Sequence, residues 1–405
     1  MSMSKVIIDE EKIEELLTRG VSFIYPTKEF LLNKIKKGER LTIYLGIDPT
    51  GPTLHLGHAI PIKKLSEFQK AGHKIILLMG DFTAMIGDPT DKNAMRKQLT
   101  HKEVMNNLKN YKKQANALIS FSGKNPAQIT FNSKWLSKMN FEEVISLASQ
   151  MTVQQMLERD MFDKRMKEGK PISIHEFIYP LMQGYDSVAM NVDGEIGGND
   201  QTFNMLCGRD LMKTMKNKEK FVMTMKLLED NSGKKMGKTE GNMIALSDTP
   251  EEMYGKVMSW TDGMIILGFE LCTDISISEI KNMDDNLKAN KINPRDLKMR
   301  LAKEIALLFY GEKKAKVAQE NWEKTFSKKE TPEDLEEIKA NKSELLVDVL
   351  LSNKIIESKS EFRRLVESGA VTYMENNEKV SYISELVKSG VYRIGKKRFC
   401  KIGIR

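Results

Sequence analysis

An apolar run, a proline-bearing loop, a helix-periodic stretch and a second apolar run follow one another between residues 41 and 79, and few folds accommodate that order. Residues 41–47 (LTIYLGI) have strand character, and residues 48–53 (DPTGPT) carry two prolines and a glycine that only a loop accepts. Residues 56–71 show helical spacing that stops at Gly72, and residues 74–79 (KIILLM) form the continuous apolar run of a strand buried on both faces. Strand, helix, strand in this form implies a parallel pair with a helix crossing between them. Two amphipathic helices, 10–20 and 28–38, precede the unit. A polar helix over 102–120, a strand at 128–132, helices at 141–148, 153–167 and 174–190, a short strand at Glu195-Ile196, a helix over 201–213 and a strand over 221–228 continue the alternation. The expectation is an α/β domain with a mostly parallel sheet, whose ligands sit at the carboxyl ends of the strands.

After Asp248-Thr249-Pro250 the pattern becomes helical to about residue 327, with Asn293-Pro294 as a break. Residues 327–334 are charged and carry a proline, which suits a linker; two short helices between 343 and 368 and strand-like pieces at 371–373 and 391–405 follow. The expected organisation is a Rossmann-like domain over 1–248, an α-helical domain over 249–330, a linker over 331–341 and a small α/β domain over 342–405.

The net charge of +8 favours a polyanionic partner without naming one. It is unevenly placed: from Asn341 onward thirteen Lys and Arg face eight Asp and Glu. Three widely spaced cysteines, Cys207, Cys272 and Cys400, fit reduced thiols rather than a disulfide framework, and no zinc-binding spacing occurs. The start lacks a signal-peptide core, and no run approaches the roughly 20 apolar residues that cross a bilayer. A cytoplasmic protein without a membrane partner or bound metal is expected.

Two stretches carry chemistry. Leu54-His55-Leu56-Gly57-His58 puts two imidazoles and a glycine where a strand or loop turns into a helix. Free N–H groups at a helix start attract phosphate, and Gly57 lets a nucleotide approach the backbone. Lys234-Lys235-Met236-Gly237-Lys238-Thr239 puts ammonium groups on a glycine-containing loop after the last apolar strand, where a closing loop would cover a leaving pyrophosphate. The plain alternatives are a chance pair of surface histidines and a solvated basic turn. A third constellation lies on the helix 174–190: Tyr179, Gln183 and Asp186 are spaced four and three apart and share one face. An Asp and a Gln are costly to bury without partners, so a pocket explains them better than plain core packing. With Tyr44, Asp186 can hydrogen-bond a phenol hydroxyl.

His-Leu-Gly-His and Lys-Met-Gly-Lys-Thr resemble the HIGH and KMSKS signatures of class I aminoacyl-tRNA synthetases. Residues 44–50 (YLGIDPT), 86–89 (IGDP), 179–186 (YPLMQGYD) and 197–201 (GGNDQ) resemble, in order and spacing, the bacterial tyrosyl-tRNA synthetases. The resemblance implies an ATP-dependent ligase that makes tyrosyl-adenylate and pyrophosphate, then transfers tyrosine to tRNA(Tyr). It gives His55, His58, Lys235, Lys238 and Thr239 roles at the phosphates of MgATP. It gives Tyr44 and Asp186 the substrate hydroxyl, and Asp88, Tyr179 and Gln183 the ammonium group. Gly46, Asp48, Thr50, Gly57, Gly198, Asp200 and Lys238 would lie along ATP and the adenylate, with Gln201 beside the carboxyl region. Asp48 and Asp200 also suit an ordinary turn and helix cap.

The resemblance further implies a homodimer and an RNA-binding tail. Residues 358–369 carry the tail's likeness to a small ribosomal-protein domain, with Arg363 and Arg364 on a helix. Lys92 and Arg96, after the Gly-Asp-Pro turn, would meet tRNA or phosphate, or simply face solvent. Leu56, Gly237 and Asn199 depart from the usual pattern, and Gly237 removes one hydroxyl from the lysine loop. Alternatives are a tryptophanyl-tRNA synthetase, a non-catalytic RNA-binding relative and a shorter type of HxGH nucleotidyltransferase; the Tyr44 and Asp186 pair argues against the first.

Overall fold

A computed structural model describes residues 6–88, 99–229, 243–324, 335, 337–376, 378–395 and 398–405. The lysine stretch 234–239, with Lys235, Lys238 and Thr239, and the pair Lys92 and Arg96 lie outside the described residues. The chain forms two compact units, Met1–Lys316 and Val317–Arg405.

The first unit is built on a sheet of β1 (Val21–Tyr25), β2 (Thr42–Ile47), β3 (Lys74–Met79), β4 (Gln128–Phe131), β5 (Gly194–Gly198) and β6 (Phe221–Met225), in the order β1-β6-β5-β2-β3-β4. All neighbours are parallel except β1 against β6. From β2 the chain winds one way through β3 and β4, and β5 and β6 lie on its other side. The reversal falls between β2 and β5, and ligands of open α/β sheets bind at such a switch point. Met79, Leu77 and Ile43 are buried as the apolar runs require.

Several elements differ from the sequence reading. The edge strand β1 was not expected: it follows Gly20, whose φ of +65° ends the first helix, and its half-exposed residues carry little of the signal of a buried strand. The helix expected over 102–120 is two, His101–Leu108 and Tyr111–Ala115, and the one expected over 153–167 is broken between Leu157 and Asp160. The expected linker 331–341 contains a strand, β7 (Glu337–Ala340).

Helices at 250–258, 265–272, 277–288 and 294–310 follow the sheet within the first unit. Thr249 and Asn293 cap two of them and Pro250 and Pro294 open their first turns, so the Asn-Pro break is a helix start. The Arg19 guanidinium donates to the carbonyls of Glu270, Phe269, Thr273 and Ile275, tying the N-terminal helix to this helical stretch.

In the second unit β7 joins β8 (Val371–Tyr373), β9 (Glu378–Lys379), β10 (Gly390–Ile394) and β11 (Arg398–Ile404) in the order β7-β11-β10-β8-β9. The helices Leu346–Ser352 and Lys359–Glu367 cover it, and Leu346, Leu350, Phe362, Val371, Ile394 and Ile402 fill its core. Arg363 and Arg364 are exposed.

Candidate active site

The carboxyl end of β2 leads into Asp48. A β-carbon on Gly80, the residue after β3, would stand 1.9 Å from Asp48 Oδ1, so only glycine leaves that carboxylate its place. Asp48 accepts from Thr83 Oγ1 at 2.7 Å and from Tyr179 Oη at 2.8 Å. Although partly open to solvent, it lies deep enough among protein atoms, with Asp88 and Asp81 near, to raise its carboxyl to about 7. The turn reading of Asp48 is therefore incomplete: the side chain receives two hydroxyls across the cleft.

The loop after Asp48 is held by one face of the helices at 101–115. Asn107 Nδ2 donates to the Pro49 carbonyl at 2.9 Å, Tyr111 Oη to the Gly51 carbonyl at 2.6 Å, and Gln114 Oε1 accepts from the Leu54 amide at 2.7 Å. These spacings were visible in the sequence, but nothing there said what the face would grip. Gly46 and Thr50 are exposed on either side of Asp48.

The third helix of the chain, Leu56–Lys70, begins with His55 as its cap residue, and its first turn holds Gly57 and His58. The imidazoles lie side by side with ring centroids 3.8 Å apart, both partly exposed. His58 Nδ1 accepts from the His55 amide at 3.2 Å, so the proton of a neutral His58 ring sits on Nε2. Leu56 N donates to the Ile244 carbonyl at 2.9 Å and Leu246 N to the Leu54 carbonyl at 2.8 Å. The histidine segment is thus paired with the chain just beyond the lysine stretch.

The helix Ile174–Met190 brings its expected face into the cleft. Asp186 is 3% exposed; Trp135 Nε1 donates to its Oδ1 at 2.8 Å and Asn132 Nδ2 to its Oδ2 at 3.3 Å. Burial pushes its carboxyl well above the usual range. Tyr44, fully buried on β2, is likewise raised by burial and by the nearby carboxylates of Glu195 and Asp186. Its hydroxyl pairs with Ser187 Oγ at 2.9 Å.

Gln183, Gln201 and Asp88 belong to one network. Gln201 Nε2 donates to Asp88 Oδ2 at 2.8 Å, and Arg159 NH2 to Asp88 Oδ1 at 3.3 Å. Asn204 Nδ2 bridges the side-chain oxygens of Gln201 and Gln183, at 3.0 Å each, and Gln183 Nε2 donates to Glu195 at 3.2 Å. Glu195 is ion-paired with Lys220, both buried. Gly198 and the exposed Asp200 stand where β5 ends, and a β-carbon on Gly198 would reach within 2.5 Å of Asp200. Ser187, Glu195, Asn204, Lys220, Asn132, Trp135 and Arg159 escaped the sequence reading. Each is an unremarkable polar residue until the fold brings it to this cleft.

The described part of the candidate site therefore holds two hydrogen-bonded networks. One joins Asp48, Tyr179 and Asp186 through Thr83 and Asn132. The other joins Tyr44, Gln183, Gln201 and Asp88 through Ser187, Lys220, Glu195 and Asn204, and Asp186 lies near enough to Tyr44 to raise its phenol. The family model for class I tRNA synthetases (W and Y) matches residues 36–327. Over 396 residues the chain is 45% identical to the tyrosine–tRNA ligase of Thermotoga maritima, covering 97% of each, and it is 43% identical to that of Carboxydothermus hydrogenoformans, covering 98% of each. In fold it is similar to a C-terminally truncated mitochondrial tyrosyl-tRNA synthetase of Aspergillus nidulans (TM-score 0.65, 24% identity, 78% of this chain and 94% of that one). A tyrosyl-tRNA synthetase of Archaeoglobus fulgidus complexed with L-tyrosine is also similar (TM-score 0.61, 22% identity, 77% and 100%). With its switch-point cleft, paired histidines and full-length relatives, the chain belongs to the tyrosine–tRNA ligase family of class I tRNA synthetases.

Proposed function

We propose that this cleft activates L-tyrosine with MgATP and then esterifies tRNA(Tyr). The observation that carries the reading is the buried Asp186 beside Tyr44, fixed by Trp135 and Asn132, at the floor of the switch-point cleft. A phenol hydroxyl entering there donates to Asp186 and accepts from Tyr44. Phenylalanine leaves both groups unpaired, and such a site discriminates by about 10⁴–10⁵, a range known for tyrosyl-tRNA synthetases themselves. The ammonium group is assigned to Asp88, Gln183 and Tyr179; Tyr179 gives its proton to Asp48, so its oxygen is left as an acceptor.

A tyrosine carboxylate oxygen attacks the α-phosphorus of ATP, the bond to the β-phosphate oxygen breaks, and pyrophosphate leaves. A ribose hydroxyl of the terminal tRNA adenosine then attacks the acyl carbon, and AMP leaves. A carboxylate is already a nucleophile, so the first step requires alignment and charge stabilisation rather than a side-chain base. We assign that stabilisation to His55, His58 and the helix start at Gly57, and to Lys235, Lys238 and Thr239 by sequence. Gly46, Asp48, Thr50, Gly198, Asp200 and Gln201 are assigned to ATP and the adenylate.

The residues 249–330 and the small unit from 342 are assigned to tRNA, the former on its anticodon side, with Arg363, Arg364, Lys92 and Arg96 as contacts. A homodimer is assigned from exposed apolar side chains on consecutive helices, Phe141, Val153, Met166 and Ile174, the last 81% exposed. Ile174→Asp should then halve the mass seen by light scattering. A cytoplasmic location is in keeping with three buried free cysteines and with no described helix long and apolar enough to cross a membrane. Pyrophosphate exchange with each standard amino acid in turn tests the whole: exchange with tyrosine alone is expected, and exchange with tryptophan instead would overturn the reading.

A further inference from the structure

Behind Tyr44 stands a buried relay that the assignments above leave without a role. Tyr44 Oη is 2.9 Å from Ser187 Oγ, Ser187 Oγ is 2.9 Å from Lys220 Nζ, and Lys220 is ion-paired with Glu195. Ser187 and Lys220 have no exposed surface. A buried ion pair is seldom a net gain in stability over well-packed apolar side chains, so stability alone does not account for it. The fold also makes room for it. A β-carbon on Gly208 would stand 2.8 Å from Lys220 Nζ and 3.0 Å from Ser187 Oγ, and Gly208 faces Gly184 where the helices Ile174–Met190 and Thr202–Lys216 cross.

The direction of the relay follows from its chemistry. An ammonium group only donates, so Ser187 Oγ accepts from Lys220. Ser187 has one proton, and its other hydrogen-bonding neighbour is Tyr44 Oη. Ser187 therefore donates to Tyr44, and the Tyr44 proton is directed away from Ser187. Glu195, held by Gln183 and Lys220, also lies within reach of the Tyr44 hydroxyl and raises it, so a hydroxyl on the substrate ring competes with Glu195 for the Tyr44 proton. Tyr179 has the opposite polarity, since its proton goes to Asp48.

We propose that Lys220 and Ser187 are specificity-determining positioning residues: they orient the Tyr44 hydroxyl as a donor to a hydroxyl on the substrate ring, whose own proton Asp186 accepts. This rests on the tyrosine reading of the cleft and names what sets its preference.

The test is pyrophosphate exchange by the full chain with tyrosine and with phenylalanine. Ser187→Ala should lower kcat/KM for tyrosine about tenfold, chiefly through KM, and leave phenylalanine nearly unchanged, so that the ratio between them narrows about tenfold. The double variant Lys220→Met, Glu195→Gln, which removes both charges of the buried pair, should narrow it similarly. A merely structural role would depress both amino acids alike and hold the ratio. A ratio within about twofold of the parent in both variants overturns the role of Lys220 and Ser187 while the tyrosine reading stands. A parent enzyme that does not activate tyrosine overturns both.

Discussion

At the end of the cleft proposed for the substrate ring, Tyr44, Asp186, Ser187, Asn204, Glu195 and Lys220 are all nearly or wholly buried and bonded to one another or to their neighbours. At the end proposed for the phosphates, His55, Gly57 and His58 keep part of their surface in solvent at the start of a helix. Burial makes each polar atom at the ring end expensive to leave unpaired, which is a source of selectivity. Under the proposed assignment, partial exposure at the other end would let a highly charged triphosphate arrive and its pyrophosphate depart, while the helix start and imidazoles would supply donors that need little rearrangement.

Substitutions can break that contrast. Asp186→Ala should be the most damaging, since it removes the acceptor for the substrate hydroxyl and strands Trp135 Nε1 and Asn132 Nδ2. A loss of roughly 10⁴-fold in kcat/KM for tyrosine is expected from exchange kinetics, and a loss below tenfold would remove Asp186 from the ring site. Lys220→Met alone leaves Glu195 as an uncompensated buried charge and should destabilise the first unit by about 3–5 kcal/mol in urea unfolding. Adding Glu195→Gln should restore most of it.

His55→Ala sharpens the other half of the contrast. It should lower kcat for adenylate formation by about 10²-fold in single-turnover measurements, with tyrosine affinity nearly unchanged. A variant that instead weakened only tyrosine binding would show that the two ends are not separate in function.

The remaining expected effect is a pH dependence. Asp48 titrates near 7 in the folded chain against an ordinary value of 3.8. The unfolded chain releases this proton from about pH 4 upward and the folded chain holds it to about pH 7, so its contribution makes stability fall between those values and level off above them. Asp186, raised in the same direction, adds to the fall. Asp48→Asn should flatten the slope of the urea midpoint against pH over that window; an unchanged slope would assign it to other groups.

Much of the site was legible in the chain itself. Tyr179, Gln183 and Asp186 declared a shared face through spacing alone, and the helix Ile174–Met190 presents them as expected. His55 and His58 declared themselves through a histidine-poor composition and a glycine between them. Ser187, Asn204 and Lys220 carried no such signal. Their spacing matches no template, and a Lys before an apolar strand ordinarily reads as a solvated end. The break at Asn110 was hidden for a similar reason: the polar residues around it favour a helix locally, whereas Tyr111 and Gln114 are held by the loop at 51–54.

Periodicity and turn chemistry, which are local, determined the strand–helix alternation, the helix starts at Asn293-Pro294 and Thr249-Pro250, and the shared face of Tyr179, Gln183 and Asp186. Tertiary structure alone decided that the chain reverses between β2 and β5, that Gly80 clears a place for Asp48, and that Gly208 admits an ammonium group behind Tyr44. Those outcomes depend on contacts between residues far apart in sequence, where burial turns ordinary polar side chains into partners that must satisfy one another.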